Sequence, residues 1–577
     1  MSVDFTLKIG GEAGQGMQTI GYVLSKTFAR GGFYLFANQD YMSRIRGGHN
    51  FFQIRVKEEP VYASSEELDI LIALDKATVE IHRLELKEKG MIIFDGEHID
   101  ISGEPSHLLS VPLERLAREE GGNKLFSNSV AVGAALGILA YQFDILAQVL
   151  KEIFAKRGEE IVQNNIKAAR AGYDFMQKNY EDFCLFSLKS GRSDKKMLIS
   201  GNEALSLGAM AAGCKFMSAY PMTPSTGIIT YLAGKSKQYG LVAEQAEDEI
   251  AAINMAIGAS FAGVRAMVAT SGGGFSLMVE ALGLAGMTET PLVIIEAQRS
   301  GPSTGLPTRT AQADLEFVLH ASQGEFPRAI FAPATAEDAF WSVVKAFNVA
   351  EKYQVPVIIM SDQHLADSYL TCKKFDLSKV KIERGIISDA ELAKIKDYKR
   401  HRFTQSGISP RALPSQKGRI VITDSDEHDE EGHLSEDLEI ANKMAQKRLK
   451  KREGLASEIE PPKVYPHEDA QIILIGWGST YGALREALDV LINKGMDVSL
   501  MHFQEIWPFP TKFVSSTLSK AKKSFCVENN ATGQLAHIIR AETGKQVTAK
   551  ILKFDGRPFS WQYIIEELKK GGKTWSL

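Results

Sequence analysis

Six short stretches of this 577-residue chain gather residue types that can bind anions or move protons. The first is 10–16, GGEAGQG, which includes Gly14 and Gly16. It follows a strand-like run and opens a helical pattern, so its backbone N–H groups could cradle an anion. A tight structural turn explains it equally well. The second, 43–50 (SRIRGGHN), sets Arg44 and Arg46 beside two flexible glycines. It could meet a phosphate-bearing ligand or a partner subunit, or simply be a solvated loop. The third, 220–226 (YPMTPST), ends an apolar strand with Tyr220, Pro221 and Thr223. Its prolines fix φ and remove N–H donors, which gives a stiff loop presenting hydroxyls at the carboxyl edge of a sheet, where open α/β folds bind ligands.

In the fourth stretch Glu244, Glu247, Asp248 and Glu249 crowd together just before a small-residue helix, AAINMAIGASFAG. Acidic residues suit a helix N-terminus on electrostatic grounds alone, and a functional carboxylate beside a cofactor is the sharper reading. The fifth, 297–309 (AQRSGPSTGLPTR), sets Arg299 and Arg309 among hydroxyls and glycines after another apolar strand. A guanidinium there could hold a carboxylate bidentately; an exposed arginine loop is the plainer alternative. The sixth, EHDEEGH, offers His428 and His433, but its polar surroundings supply no further ligand set, so no metal site is expected.

The elements that must position these stretches are α/β throughout. VDFTLKI (3–9), DILIALD (69–75) and MIIFD (91–95) suit buried parallel strands, and helices fill about 127–180. This gives a first domain over 1–187, followed by a polar linker at 188–196 (LKSGRSDKK). FMSAY, AMVAT, LVIIEA and VPVIIMSD alternate with helices over 196–375, which argues for a parallel sheet covered on both faces. Residues 376–465 are polar and poorly periodic. They read as a strap with one solvated helix, KMAQKRLKKRE, and no core of its own. A last α/β domain spans 466–577 from IILIGWGST onward.

Length fits about four domains at about 150 residues each. Net charge of −4 and a pI of about 6.4 give no reason to expect nucleic-acid or anionic-membrane partners. No run approaches the ~18 apolar residues of a membrane span. The first residues lack a signal peptide's basic and apolar regions, so a cytoplasmic location is expected. The four scattered cysteines, Cys184, Cys214, Cys372 and Cys526, cannot alone ligate an iron–sulfur cluster.

Taken together, YPMTPST, EQAEDEIAA and EAQRSGPSTGLPTRTAQAD, in this order, resemble the α subunit of 2-oxoacid:ferredoxin oxidoreductases. GGEAGQG and SRIRGGHN resemble that family's γ domain, here fused in front. KRHRFTQSGISPRALP and DEHDEEGH resemble the strap of the 2-oxoglutarate type, the KorA-like chains. GWGSTYG and FQEIWPFP resemble a domain like the C-terminal domain of transketolase. The resemblance therefore implies an α/β fold of a γ domain, a thiamine-enzyme pyrimidine-binding domain and a transketolase C-terminal-like domain. It implies CoA-acylating oxidative decarboxylation of 2-oxoglutarate to succinyl-CoA, or its reductive reverse, with electrons passed to ferredoxin. Pyruvate or another 2-oxoacid is the alternative substrate, and a non-catalytic scaffold subunit the alternative class.

Thiamine diphosphate would be shared with a β subunit holding Mg2+ and a 4Fe-4S cluster, CoA would be co-substrate, and the assembly would be (αβ)2. The chain lacks the GDG metal–diphosphate motif, consistent with half a site. The resemblance implies, by position in the motifs, that Glu249 is the catalytic acid against the aminopyrimidine. It likewise implies that Tyr220, Pro221 and Thr223 contact cofactor, that Thr223 also contacts substrate, and that Arg299 grips the substrate carboxylate with Arg309 as runner-up. Gly14, Gly16, Arg44 and Arg46 would serve CoA or an interface. Met222 stands where the family loop usually has Ile, a nearly volume-conserving change.

Overall fold

The structure, a computed structural model, describes residues 3–44, 47–101, 107–183, 188, 196–417 and 419–571. Arg46, Cys184 and nearly all of the 188–196 linker lie outside the described residues. The chain forms two compact units: Met1–Ile199 with Ser368–Lys374 and Ser560–Gln562, and Ser200–Asp367 with Phe375–Phe559 and Tyr563–Leu577. No helix among the described residues is long and apolar enough to cross a membrane.

The first unit is built on a sheet running, edge to edge, His107–Ser110, Leu86–Phe94, Leu68–Ala73, Asp4–Glu12, His49–Lys57, Tyr34–Asp40, Tyr369–Cys372 and Met197–Ser200. Leu68–Ala73 is buried along its whole length and pairs in parallel with both neighbours, as a continuous apolar run should. Asp4–Glu12 feeds the GGEAGQG turn into helix Met17–Arg30. That turn needs Gly16, whose φ of 83° is left-handed and whose missing Cβ leaves room for the Asn128 side chain.

The second unit holds the site. Its larger sheet runs Glu505–Trp507, Ala329–Phe331, Pro356–Asp362, Leu292–Gln298, Ala266–Thr270, Phe216–Ala219 and Val242–Gln245. Every pair is parallel except Glu505–Trp507 against Ala329–Phe331. Leu292–Gln298 is the central strand, buried at all seven positions. Its carboxyl end, and those of Phe216–Ala219 and Val242–Gln245, deliver three of the candidate loops to one edge.

A second sheet in this unit runs Lys463–Tyr465, Val498–Phe503, Ile472–Trp477, Lys523–Glu528 and Ala549–Leu552. The two sheets share one apolar core: Ile473, Trp477 and Phe503 cluster with Ile294, Ile330 and Met360.

The strap helix differs from the expected solvated one. Helix Leu438–Glu458 buries Met444, Lys447, Arg448, Lys451 and Leu455, one face at helical spacing. The lysines point inward because Glu289, itself 1% exposed, receives both ammonium groups and also pairs with His401 Nδ1 at 3.0 Å. Arg400 donates to the Glu289 carbonyl at 2.8 Å, and Lys451 donates to the Gln354 carbonyl at 3.2 Å. Burial alone would raise the Glu289 pKa, but the charges of Lys451 and Lys447 hold it well below the usual carboxylate range. Burial, opposed by Glu289, pushes Lys451 down to about 7.

Removing one partner of such a cluster strands the others without solvent. Glu289→Ala should therefore destabilise the chain by roughly 3–5 kcal/mol, read as a lower denaturant midpoint by circular dichroism. A midpoint equal to the parent's would show that the strap is held by something else.

Candidate active site

Glu249 opens helix Glu249–Phe261 directly behind its N-cap, Asp248, whose side chain accepts from the Ala251 N–H at 2.7 Å. Of the clustered acids, Glu244 and Glu247 are exposed and Glu249 is 3% exposed. Its side chain lies against Gly274 and leaves no room there for a Cβ. Its Oε1 is buried with no hydrogen-bond partner. Burial, and secondarily the Asp248 charge, raise its pKa; the backbone and Arg299 oppose this. The result is an acid biased toward its protonated form, with a polar atom left to pair.

Arg299 follows the central strand immediately. Its Nη1 donates to the Thr223 carbonyl at 2.9 Å, which ties the two loops together. Its Nε is buried and unpartnered. Burial lowers its pKa and the Glu249 charge opposes that, so the two side chains act on each other directly.

The 220–226 loop is fixed by its own bonds. Ser225 Oγ donates to the Met222 carbonyl at 2.7 Å, and Asn202 Nδ2 donates to the Pro224 carbonyl at 2.9 Å. Tyr220 is exposed, and Pro221 and Thr223 are half-buried. A cavity of about 530 Å³ opens here, with Met222, Arg299, Gly272, Gly273, Ser303 and Asp314 on its walls. The Met222 departure therefore touches the cavity itself.

Glu249, Thr223 and Arg299 are thus brought together. Arg309 is placed elsewhere on the loop: its N–H donates to the Leu306 carbonyl at 3.1 Å, and its Cβ packs where Gly556 leaves space. Gly14 and Gly16 lie in the first unit with Arg44, which is exposed. His428 is fully buried, its ring 4.1 Å from that of His401, whereas His433 is exposed.

The sequence reading missed two acids. Glu296, in the middle of the LVIIEA run, is fully buried with neither carboxyl oxygen partnered, and Asp314 faces it from the cavity wall. A charge interrupting a buried strand is costly, and that interruption was the available signal. In the first unit, His49 Nε2 lies 2.7 Å from His82 Nε2 beside the buried Lys8, another cluster the motifs did not mark.

The donor set fits the pyrimidine half of thiamine diphosphate. A buried carboxyl with an unused oxygen, its pKa raised by burial, can donate to a ring nitrogen when protonated, and a cation stands beside it that could take a substrate carboxylate.

Comparison with known proteins agrees along the whole chain. Residues 207–447 match the family described as "Pyruvate flavodoxin/ferredoxin oxidoreductase, thiamine diP-bdg". Residues 6–175 match "Pyruvate ferredoxin/flavodoxin oxidoreductase", and 470–564 match "Pyruvate:ferredoxin oxidoreductase core domain II". The 2-oxoacid:ferredoxin oxidoreductase subunit alpha of Sulfolobus sp is 34% identical, over 97% of this chain and 96% of that one. The 2-oxoglutarate oxidoreductase subunit KorA of Mycobacterium tuberculosis is 30% identical, over 93% of this chain and 87% of that one. Among solved structures, the 2-oxoglutarate:ferredoxin oxidoreductase of Magnetococcus marinus, with 2-oxoglutarate, coenzyme A and succinyl-CoA bound, superposes with a TM-score of 0.91 at 31% identity, over 98% of this chain and 99% of that one. With a third of its residues shared along nearly its full length, and an α/β fold that superposes throughout, this chain belongs to the 2-oxoacid:ferredoxin oxidoreductases.

Proposed function

We propose that this chain is the α subunit of a 2-oxoglutarate:ferredoxin oxidoreductase, which converts 2-oxoglutarate and CoA to succinyl-CoA and CO2 and passes two electrons to ferredoxin. One observation carries the reading. The unpartnered Nε of Arg299 and the unpartnered Oε1 of Glu249 are buried in one electrostatic neighbourhood, and Arg299 lines a cavity large enough for a small acid. The bound ligands named for the Magnetococcus marinus structure support the choice of 2-oxoglutarate. The Sulfolobus relative is named for 2-oxoacids in general, which keeps pyruvate as the second substrate to test.

Thiamine diphosphate, when bound, supplies a carbon nucleophile for the substrate ketone and an electron sink for the loss of CO2. The chain's own residues act around it. Glu249 donates a proton to the pyrimidine ring. Arg299, braced on the Thr223 carbonyl, binds the substrate carboxylate through the guanidinium edge that Thr223 leaves open. Thr223, Tyr220 and Pro221 flank the cofactor, and Arg309 is the reserve cation of the same loop. Gly14, Gly16, Arg44 and Arg46 are assigned to CoA or to the interface. A β subunit would hold Mg2+, the diphosphate and the 4Fe-4S cluster, in an (αβ)2 assembly.

Three measurements test this. Glu249→Gln cannot deliver the proton, so turnover of the assembled enzyme should fall by roughly 10²–10⁴-fold; near-normal turnover would remove Glu249 from the role. Arg299→Ala should cost affinity and turnover for every 2-oxoacid, with only partial rescue by Arg299→Lys, because a point charge lacks the planar fork. A larger defect in Arg309→Ala would exchange the two arginines. Expressed alone, the chain should be colourless and inactive; with its β partner it should gain iron and reduce a viologen dye in the presence of 2-oxoglutarate and CoA. Stoichiometric iron or turnover in the isolated chain would overturn the two-subunit reading.

A further inference from the structure

Behind the cavity lies a pair of acids that the proposed function does not use. Glu296 sits on the central strand between Thr270 and Met360 in register, fully buried. Neither of its oxygens meets a donor. The charged groups that act on it are both acids, Asp314 and Asp362. Asp362 is satisfied separately, accepting from the Leu365 N–H at 2.9 Å and the Thr310 hydroxyl at 3.3 Å. The Asp314 N–H is bonded to the side chain of Gln298, two positions along the strand from Glu296 and on the same face; there the Asp314 and Glu296 carboxyls act on each other, and two carboxylates can be joined only by a proton held between them.

Which acid holds the proton follows from the surroundings. Asp314 precedes a short helix, Leu315–His320, but does not cap it with its side chain. Its carboxyl lies instead where Gly272 lacks a Cβ, at the start of helix Gly272–Met287. That helix has no side-chain cap of its own, so its exposed N–H groups favour a negative charge on Asp314. Glu296 has no such neighbour, and an ionised carboxylate there would be buried uncompensated. Burial, with Asp314 and Asp362 adding to it, raises the Glu296 pKa well above the ordinary value; burial also raises Asp314, against the bond from Glu296. The Asp314 N–H is fixed by Gln298 Oε1 at 3.2 Å, and Gln298 Nε2 donates to the Ser361 carbonyl at 3.2 Å. The pair is therefore rigidly placed, with only Asp314 on the cavity wall.

We propose that Glu296 and Asp314 form a proton store for the cavity, with one proton resident on Glu296 and Asp314 as the ionised member that takes up a proton released there. The use of the store rests on the 2-oxoacid reading, whereas its existence does not. Decarboxylation of a 2-oxoacid anion with acyl transfer to a thiol yields a thioester, CO2, two electrons for ferredoxin and one proton. Uptake forms one O–H bond at Asp314 as the thiol S–H bond breaks, and the pair passes from a charge of −1 to 0. Loss of that proton to solvent restores the carboxylate, and no electrons move through the pair. Glu296 is a positioning residue: its O–H donates to Asp314 and leaves the other Asp314 oxygen for the incoming proton.

The first test uses the full chain alone. Infrared spectra at neutral pH should contain the carbonyl stretch of a protonated carboxyl that is lost in Glu296→Gln. The same band should persist but shift in Asp314→Asn, because its hydrogen-bond acceptor has changed. A Glu296→Gln spectrum identical to the parent's overturns the store. So does an Asp314→Asn spectrum with the band unmoved, which also serves if the Gln variant does not fold. The second test uses the complex with the β chain. Asp314→Asn should lower kcat by roughly 10²-fold or more with KM for the 2-oxoacid little changed, and should abolish the acid limb of the kcat–pH profile. Glu296→Gln should move that limb to higher pH, since an amide is a weaker donor to Asp314 than an acid. Parent kcat and an intact limb in Asp314→Asn would overturn the role in turnover. Failure of the complex to act on any 2-oxoacid would sink the functional reading and leave the infrared result to decide the pair.

Discussion

The structure depends on burying several carboxyls at one edge of a parallel sheet with few cations to neutralise them. Glu249, Glu296, Asp314 and Asp362 all have raised pKa values, and burial is the largest cause in each. Arg299 is the cation whose charge acts on this group, and it acts on Glu249. A buried carboxyl without a counter-charge becomes neutral by holding a proton. Burial at the candidate site accordingly biases Glu249 and Glu296 toward their protonated forms. That is the condition an acid must meet to donate at neutral pH.

The same unit solves the opposite problem at Glu289. There the buried acid is ionised, because Lys447 and Lys451 enter with it on the strap helix. The contrast is one of partners and not of depth, since Glu289 and Glu296 are both essentially inaccessible. Two lysines meet the one acid that anchors the strap, whereas at the cavity a single arginine, Arg299, acts on Glu249, and Glu296 has only acids acting on it. The large sheet makes both possible, because its fully buried central strand can carry an acid into the interior and stop at an arginine on the edge.

Much of this architecture was legible in the sequence. LVIIEA and VPVIIMSD read as buried parallel strands because both faces of such a sheet are covered, so the run stays apolar without alternation. The loops that follow them were legible as well, since prolines and glycines mark where strands end. Other features were not legible because they depend on distant partners. Glu249 could not be separated from Glu244 and Glu247 by spacing; burial against Gly274 separates them. The strap helix looked solvated because its lysines answer to an acid some 160 positions away. Glu505–Trp507 joins the sheet of an earlier segment and Tyr369–Cys372 joins the sheet of the first unit, pairings that no local pattern announces. Glu296 was hidden by its own context, a single acid inside an apolar strand.

Glu249 and Glu296, the two acids at this edge with a buried carboxyl oxygen that meets no donor, are held to be neutral because each keeps a proton. Neutron diffraction from a crystal grown at neutral pH in heavy water reads this directly. The account predicts deuterons on the carboxyls of Glu249 and Glu296 and none on Asp314. Deuteron-free carboxylates at both Glu249 and Glu296 would contradict it.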